Sequence, residues 1–299
     1  MESPATSTTD TTDTAITANA KTTVACCQLA LAVGDIAGNR AKARAAIIEA
    51  ADVGAKVIVL PELCNTGYMF TDLDELRPAA ETVDGPTVTE WAELARERDL
   101  IIVGGFVEAG DDGNVYNAAV AVDASGVLAK YRKAHLWNFE KNKFTPGSET
   151  PPVVDTAVGR IGIAICYDLE FPEWMRLLAL AGTQLLCSPV NWPEYPRPDG
   201  ERPSEIVKVQ ANATSNRMFI AAADRVGTER GQDWVGGSVI VDADGFPVTQ
   251  IRLGAEMIAY ASLDLTDALE KQISENNNVQ TDRRPELYGG VAEAPPVSA

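Results

Sequence analysis

One short apolar run, residues 161–165, constrains the fold of this chain most directly, because it stops abruptly at a cysteine. The run is too short for a helix and is rich in β-branched residues, which is typical of a buried β-strand. Beyond Cys166, Pro172 suits the first turn of a helix, and apolar residues at helical spacing continue to Gly182. The pattern predicts a strand, a tight turn and a helix, with the Cys166 thiol at the turn.

Similar runs along the chain predict an α/β protein. Besides the run before Cys166, the expected strands are residues 24–30, 57–60, 100–106, 115–122, 127–132, 184–188, 218–223, 235–241, 248–251 and 258–263. The expected helices are residues 39–51, 87–98, 174–181 and 203–216. Alternation of strand and helix, with hairpins inserted, favours sheets that are covered by helices on their outer faces. Periodicity leaves open whether the strands form one sheet or two.

Length and composition indicate one soluble domain with a large core, since the chain has 299 residues, of which 45% are hydrophobic and 23% charged. No apolar stretch is long enough to span a bilayer, and the N-terminus lacks a secretion signal, so we expect a cytoplasmic protein. Residues 1–21 are rich in Thr, Ser, Ala and Asp, and we expect a disordered tail there. The expected domain covers residues 22–290, followed by a C-terminal tail at 291–299.

Charge and residue counts argue against several classes of function. A net charge of −18 disfavours nucleic acid and anionic membranes as partners, because both require a basic surface. His135 is the one histidine in the sequence, which excludes a zinc site built on several imidazoles. A Ser-His-Asp hydrolase is disfavoured because the chain has no Gly-x-Ser-x-Gly motif. Five cysteines, an odd number partly inside apolar runs, indicate reduced thiols.

Two charged residues also stand where predicted strands end: Glu62 after residues 57–60, and Lys133 after residues 127–132. Sites in α/β proteins are often built at such strand ends, where the turns are open to ligand. Each group also has a non-functional interpretation. A charge at a strand end often just meets water, the basic residues near Lys133 suit an exposed edge, and most free cysteines are small buried hydrophobes.

Together, a thiol, a carboxylate and an ammonium group have complementary roles in acyl transfer. A thiol becomes nucleophilic as the thiolate, and with histidine scarce a carboxylate of raised pKa can serve as its base. A lysine can stabilise the oxyanion that forms on the attacked carbonyl. The three groups as a set therefore favour catalysis more strongly than any one of them does.

Longer motifs surround these groups. They are Leu60-Pro61-Glu62-Leu63 with Thr66-Gly67-Tyr68; Tyr131-Arg132-Lys133-Ala134-His135-Leu136 with Glu140 and Phe144-Thr145-Pro146-Gly147; and Ile165-Cys166-Tyr167-Asp168-Leu169-Glu170-Phe171-Pro172-Glu173. In this order they resemble the three signature blocks of the nitrilase superfamily, the carbon-nitrogen hydrolases. Residues 282–288 are similar to that family's C-terminal segment, so the resemblance runs from about residue 23 to residue 288.

This resemblance implies an α/β fold, the four-layer α-β-β-α sandwich of the nitrilase superfamily. It also implies a homodimer or larger homo-oligomer and a reaction that needs no metal or cofactor. Carried over position by position, it makes Glu62 the general base, Lys133 the oxyanion-stabilising residue and Cys166 the nucleophile. His135 lies in the second block but outside the triad, and we expect it to hold its loop by hydrogen bonds.

The same resemblance assigns further residues to the site. Glu140 matches the family's second glutamate, which helps to position the substrate and the triad. The backbone N–H of Tyr167 would complete the oxyanion hole. Asn191 and Trp192 fall in the family's substrate loop, where Trp192 is a candidate wall of the acyl pocket or simply a packing residue. Tyr68 lies in a turn-rich segment that is suited to line a pocket.

Residues after the nucleophile indicate the substrate. Nitrilases of this family typically place Trp-Glu there, whereas this chain has Tyr167-Asp168, the amidase-like form. Glu170 stands where omega-amidases have an arginine for a substrate carboxylate, so it would repel such a substrate. We predict an amidase that converts small aliphatic carboxamides, with or without an amino substituent, to the acid and ammonia through a Cys thioester.

Three alternatives stay open. Two are reactions of the same superfamily, nitrile hydrolysis and hydrolysis of N-carbamoyl amines or amino acids. The third is a binding protein that keeps the fold without catalysis. The presence of Glu62, Lys133 and Cys166 together argues against the third.

Overall fold

A computed structural model describes residues 21–293 of the chain. The predicted disordered tail at 1–21 lies outside the described residues except for Lys21. The predicted C-terminal tail at 291–299 lies outside them except for residues 291–293. No helix in the described part of the chain is long and apolar enough to cross a lipid bilayer.

Strands and helices alternate as the sequence predicts. The strands are β1 (Thr22–Ala30), β2 (Val57–Val59), β3 (Ile101–Ala109), β4 (Val115–Asp123), β5 (Gly126–Arg132), β6 (Val153–Thr156), β7 (Gly159–Ile163), β8 (Leu185–Pro189), β9 (Phe219–Ala223), β10 (Arg225–Glu229), β11 (Gln232–Val235), β12 (Val239–Val241), β13 (Met257–Leu263), β14 (Gln272–Ser274) and β15 (Asn277–Asn278). The helices are α1 (Ile36–Asp52), α2 (Leu73–Leu76), α3 (Pro86–Arg98), α4 (Pro172–Leu180), α5 (Ser204–Asn216) and α6 (Gly289–Glu293). Short 3-10 turns cover Arg77–Ala79, Asn138–Asn142, Cys166–Glu170, Leu265–Leu269 and Pro285–Leu287.

Most strands belong to two sheets. The large sheet has the order β11-β10-β1-β2-β3-β4-β5, with β13 also paired to β1, and the small sheet has the order β12-β9-β8-β7-β6. In the large sheet β1, β2 and β3 are parallel, and two antiparallel pairings bring β5 back into the same direction. In the small sheet β7, β8 and β9 are parallel. The carboxyl ends of β2 and β5 therefore meet at one edge of the large sheet.

Side chains alternate between two cores along the strands, as the pleat of a sheet requires. In β2, Val57 and Val59 face the small sheet and share a core with Ile163 of β7. Ile58 faces the other way and packs with Ile47 of α1 and Trp91 of α3. Helices α4 and α5 contribute apolar side chains to the far face of the small sheet. The predicted four-layer α-β-β-α sandwich is confirmed, with two stacked sheets between two helical layers.

The predicted strand at residues 235–241 is wrong. β11 ends at Val235 in the large sheet, and β12 begins at Val239 in the small sheet. Between them Gly236 has φ +57°, in the left-handed region that favours glycine. One apolar run is therefore shared by two sheets.

The predicted strand at residues 248–251 is also wrong. This segment forms no strand, although Val248 donates its backbone N–H to Ile240 and an isolated bridge joins Pro247 to Val241. A proline lacks the N–H that a strand ladder requires at that position.

A second crossing between the sheets occurs at Asp224, the single residue between β9 of the small sheet and β10 of the large sheet. The Asp224 carboxylate accepts hydrogen bonds from the backbone N–H groups of Trp192 (3.0 Å), Arg225 (2.9 Å) and Gly237 (2.9 Å). Asp224 thereby connects the two places where the chain passes between the sheets, at Asp224 itself and at Gly236–Gly237, to the loop after β8. The sequence did not predict β10 as a strand.

Candidate active site

Three predicted residues meet at the facing edges of the two sheets. Glu62 follows β2 and Lys133 follows β5, both in the large sheet, while Cys166 lies beyond β7 of the small sheet. Glu62 is 0% exposed, Lys133 1% and Cys166 9%. The non-functional interpretation of a charge that simply meets water at a strand end therefore does not apply to Glu62 or Lys133.

The Lys133 ammonium group lies between two buried carboxylates. Its Nζ donates to Glu62 Oε1 at 2.6 Å and to Glu140 Oε1 and Oε2 at 3.0 and 2.9 Å. Glu140 comes from the 3-10 turn Asn138–Asn142, and its Oε2 also accepts the backbone N–H of Trp137 at 2.6 Å. Two carboxylates and one ammonium leave a net negative charge in a buried site, so a proton is readily held there.

Asn117, near the start of β4, completes this network. Its Nδ2 donates to Glu62 Oε1 at 2.6 Å and to Glu140 Oε1 at 2.8 Å. Glu62 Oε2 is buried and has no hydrogen-bond partner among the described residues. One Glu62 oxygen therefore accepts both donors, and the other accepts none from the described residues.

Burial and neighbouring charges together set the pKa values of Glu62 and Lys133. It raises the pKa of Glu62 to about 7, with help from the charge of Glu140 and against the opposing charge of Lys133. Burial acts to lower the pKa of Lys133, but the charges of Glu140 and Glu62 outweigh it and hold that pKa well above its ordinary value. Lys133 is therefore an ammonium ion at neutral pH, and Glu62 exchanges a proton near neutrality, as a general base requires.

Cys166 begins the 3-10 turn Cys166–Glu170 and has φ +46°, an unusual backbone conformation for a residue with a side chain. Its Sγ lies 3.6 Å from the backbone oxygen of Asn191. Burial and the charge of Glu62 raise the pKa of the thiol well above its usual value, and Lys133 opposes them. In this site the thiol therefore holds its proton until a base removes it.

Asp168 joins two segments that we call the cysteine turn, Cys166–Glu170, and the lysine loop, residues 133–137. Its side chain is 0% exposed. Asp168 Oδ1 contacts His135 Nδ1 at 2.7 Å, and Oδ2 accepts from the hydroxyl of Tyr131 at 2.8 Å and from the backbone N–H of Ile165 at 2.9 Å. The His135 ring stacks on Phe171, with centroids 3.8 Å apart. The contact between His135 and Asp168 agrees with the hydrogen-bonding role predicted for His135.

Two cavities open onto these groups. One of about 340 Å³ is lined by Cys166 and has Tyr167 and Trp192 in its wall. A second of about 580 Å³ is lined by Glu140 and has Tyr68 in its wall. The two share a wall formed by Trp137, Asn191, Pro193 and Tyr195. We call the two together the cleft, and it contains every residue predicted to bind the substrate.

Asn191, which follows β8, contacts two of the three predicted catalytic residues. Its Nδ2 donates to the backbone oxygen of Glu62 at 2.9 Å, and its backbone oxygen is the one that faces the Cys166 thiol. The adjacent Trp192 is 3% exposed, and its backbone N–H is held by Asp224. Trp192 thus serves both as packing and as cleft wall.

A buried ion pair supports the wall at Tyr68. Glu229 Oε2 accepts the backbone N–H groups of Tyr68 at 2.9 Å and Met69 at 2.7 Å, while Arg225 Nη2 binds Glu229 Oε1 at 2.9 Å. The Arg225 guanidinium carbon lies 4.8 Å from the ring centroid of Trp234, which meets Tyr68 edge-on at 5.2 Å. Tyr68 and Trp234, two aromatic residues of the cleft wall, therefore both contact the Arg225–Glu229 ion pair of β10.

Glu170, the residue predicted to restrict the substrate, lines the smaller cavity together with Glu205. Its Oε1 is 2.6 Å from the ammonium of Lys208, and both side chains are partly exposed. Among the described residues, no lysine or arginine lines this cavity. Lys143 lines the larger one, where burial lowers its pKa.

The sequence did not predict Asn117, Asp224, Arg225 or Glu229 as parts of the site. Asn117 carried a weak signal, since it is a polar residue within the apolar run at 115–122. Within the described residues, no group of three or more His, Cys, Asp or Glu side chains is arranged to hold a metal ion.

Comparison with known proteins places this site in context. The family model described as Carbon-nitrogen hydrolase matches residues 23–270. A protein named nitrilase from Pyrococcus abyssi is 36% identical over 254 residues, which cover 84% of this chain and 92% of that protein. A 2-oxoglutaramate amidase from Bacillus subtilis is 33% identical over 274 residues, 90% of this chain and 100% of that protein.

The fold is similar to that of a solved amidase from Nesterenkonia sp., with a TM-score of 0.75 and 25% identity over 92% of this chain and 97% of that one. Another structure of that amidase, a Glu-to-Gln variant, has a TM-score of 0.73 and 25% identity, covering 90% of this chain and 95% of that one. It shows the acetamide moiety of fluoroacetamide covalently added at the active-site cysteine of that enzyme.

Proposed function

This chain belongs to the carbon-nitrogen hydrolase family and is a hydrolase acting on carbon–nitrogen bonds, and we propose that it is an amidase for small aliphatic carboxamides. The observation that carries the proposal is the buried contact of Lys133 with Glu62 beside the cleft that exposes Cys166. A thiol, a carboxylate that titrates near neutrality and a permanent cation are the groups that amide hydrolysis by a covalent route requires.

In the acylation step, Glu62 takes the thiol proton and Cys166 Sγ forms a bond to the amide carbon. The Lys133 ammonium and the backbone N–H of Tyr167 stabilise the oxyanion of the tetrahedral adduct. The adduct then collapses with cleavage of the carbon–nitrogen bond, and the proton on Glu62 passes to the leaving nitrogen. Ammonia departs and a thioester remains on Cys166.

In the deacylation step, Glu62 takes a proton from a water molecule, and the hydroxide oxygen attacks the thioester carbon. Collapse of this second adduct breaks the carbon–sulfur bond, and the proton returns to the sulfur. The carboxylic acid leaves and the free thiol is restored. The covalent adduct at the cysteine of the similar Nesterenkonia amidase supports Cys166 as the nucleophile.

Cleft chemistry supports an uncharged or amine-bearing acyl group. Glu170 and Glu205 line the cavity that contains Cys166, and although Lys208 pairs with Glu170, no lysine or arginine lines the cavity within the described residues, so a substrate carboxylate there would find no cationic partner. Aromatic side chains supply apolar contact for an aliphatic chain. We therefore expect a dicarboxylic acid monoamide to be a poorer substrate than an uncharged amide of equal length.

The test is ammonia release from a short aliphatic amide by wild type and by Cys166→Ala, with Cys27→Ala as control. Cys27 is a buried thiol of β1 in the core that faces α1. We expect Cys166→Ala to lose turnover and Cys27→Ala to keep it. Mass spectrometry of quenched wild type should find the acyl group on Cys166. Turnover by Cys166→Ala, or an adduct on another cysteine, would contradict the proposal.

Nitrile hydrolysis is the second candidate, because the Pyrococcus abyssi relative carries the name nitrilase. The same assay, run separately with an amide, its nitrile and an N-carbamoyl amine, distinguishes the reactions. Faster turnover of the nitrile than of the amide would replace the amidase by a nitrilase with the same nucleophile. Faster turnover of the carbamoyl compound would replace it by a carbamoyl amidohydrolase.

A further inference from the structure

Besides the Lys133 ammonium, the uncharged side chain of Asn117 also joins the two glutamates of the site directly. It is 1% exposed and uses Nδ2 for both contacts, at 2.6 Å to Glu62 and 2.8 Å to Glu140. An amide nitrogen carries two N–H groups, so one is available for each carboxylate. The backbone oxygen of Asn117 also accepts the N–H of Lys133 at 2.8 Å. Asn117 therefore contacts all three charged residues around the nucleophile.

The direction of these contacts matters more than their number. Lys133 Nζ and Asn117 Nδ2 both bind Oε1 of Glu62, and Oε2 is buried without a hydrogen-bond partner in the described residues. With Lys133 as the only donor, the carboxylate would be free to turn about its last torsion, which is broad for glutamate. A second donor on the same oxygen fixes that torsion.

We propose that Asn117 is a positioning residue for hydrolysis: by joining Oε1 of Glu62 to Oε1 of Glu140, it keeps Oε2 of Glu62 available to the thiol and to the attacking water. This inference rests on the proposed function, since it assigns Glu62 the work of moving protons. Asn117 itself touches no reacting atom.

Neutral donors suit this position for an electrostatic reason. A second lysine there would balance the second carboxylate and hold Glu62 ionised to low pH, which would weaken it as a base. An aspartate would add a third carboxylate and repel both glutamates. The hydrogen bond from Asn117 lowers the pKa of Glu62, but less than Lys133 does and against the larger effect of burial. Asparagine thus supplies orientation without a change of net charge.

The test replaces Asn117 by leucine, which has similar volume and no donor, and follows kcat, KM and the pH profile of kcat/KM for a short aliphatic amide. We expect kcat to fall about 10- to 100-fold, as befits loss of a hydrogen bond to a charged group, while KM changes little. Loss of the donor disfavours the ionised form of Glu62. The acidic limb of the profile should therefore move to higher pH by about one unit.

A matched control is Asn216→Leu. Asn216 is also buried, also donates through Nδ2 and also has an Oδ1 without a partner in the described residues, but it lies in α5 and bonds Asn212. The Asn216→Leu variant should be less stable than the wild type but keep the wild-type pH profile of kcat/KM. If Asn117→Leu does not fold, Asn117→Ala carries the same expectations.

The inference is overturned if a folded Asn117 variant keeps both its kcat within twofold and its acidic limb at the wild-type pH. It is equally overturned if the Asn216 control shifts the limb as far. Absence of turnover in the wild type, or turnover by Cys166→Ala, would instead refute the proposed function, so the two failures are distinguishable.

Discussion

Asp168 binds His135 twice, at the ring Nδ1 (2.7 Å) and at the backbone N–H (3.2 Å), and so ties the lysine loop to the cysteine turn. In His135→Phe the ring can still stack on Phe171, but the buried carboxylate loses one partner. We expect the free energy of unfolding to fall by about 1.5–3 kcal/mol, the value of a hydrogen bond to a charged group. We expect kcat to fall only severalfold, because Lys133 and Cys166 remain.

Chemical denaturation and steady-state kinetics measure both effects. His135→Asn is the informative partner variant, because its amide nitrogen can again donate to Asp168 and should restore part of the stability. A loss of kcat beyond about 1,000-fold in a folded His135→Phe would mean that the imidazole takes part in the chemistry, since removal of a single general acid or base has effects of that order.

Gly105 of β3 permits the close approach of the turn that carries Glu62. A Cβ at Gly105 would lie 2.6 Å from Glu62 Cα and 2.7 Å from Leu63 N, so alanine there must displace the turn. We expect Gly105→Ala to lower kcat/KM by about 100-fold, the effect of a displacement of about 1 Å in a catalytic group.

Gly104→Ala provides the control for Gly105. Its Cβ would meet the Trp91 ring at 2.7 Å, on the face of β3 that is covered by α3. Overpacking of either site should cost about 1–3 kcal/mol of stability, measurable by thermal unfolding. Only Gly105→Ala should lose activity out of proportion to stability. Equal losses of activity in the two variants would show that the Glu62 turn tolerates the displacement.

Asp224 makes stability depend on pH. Burial raises its pKa from 3.8 to about 7, against the opposing effect of three backbone N–H groups. The folded state therefore keeps a proton that the unfolded chain releases, and the stabilisation is present below about pH 4 and is lost as pH rises towards 7. Relative to Asp224→Asn, the wild type should lose up to about 4 kcal/mol across this range.

The measurement is the free energy of unfolding of both proteins at intervals from pH 4 to pH 8. Glu62 shifts in the same direction, so only the difference between wild type and variant reports Asp224. Asp111→Asn removes the same charge from an exposed position and should follow the wild type. A difference between wild type and Asp224→Asn that is constant with pH would contradict the expectation.

Glu229 shapes the aromatic half of the cleft. Glu229→Gln weakens the two bonds to Tyr68 and Met69 and leaves Arg225 buried without a counter-charge, which should destabilise the protein by about 3–5 kcal/mol. We expect KM to rise about tenfold, as loss of about 1.4 kcal/mol of binding would produce, for amides long enough to reach the wall. The KM of the shortest amide should change less.

Stability and specificity are separated by the double variant Arg225→Met with Glu229→Gln. It removes the unpaired charge and should recover much of the stability, but it cannot restore the support of Tyr68 and should keep the raised KM. Recovery of the wild-type KM in the double variant would show that the ion pair contributes to stability alone.

The sequence predicts what is local and misses what two distant segments create together. Glu62, Lys133 and Cys166 were candidates because each follows its own apolar run, and the family resemblance of the motifs around them implied their roles and that of Glu140. Asn117 was not, because its partners lie 55 and 23 residues away along the chain. Its function depends on which strands become neighbours in the sheet, and periodicity contains no such information.

The errors in the strand predictions have the same origin. Residues 235–241 form one apolar stretch, but Gly236 and Gly237 divide it between two sheets. The position of Asp224 between β9 and β10 likewise makes sense only once the sheets are stacked. The predicted cytoplasmic location and homo-oligomeric assembly, for which a single chain offers no test, stay predictions.

Asn117 lies in a strand of the large sheet, and Glu62 and Lys133 directly follow strands of that sheet, whereas Cys166 and Asn191 follow strands of the small one. Neither sheet alone supplies both the proposed nucleophile and its proposed base. During refolding, activity can therefore appear only when the two sheets dock, however early either sheet forms. Recovery of turnover after dilution from denaturant would time that docking event, while the fluorescence of tryptophans such as Trp91, on the helix-covered face of the large sheet, would report a separate core.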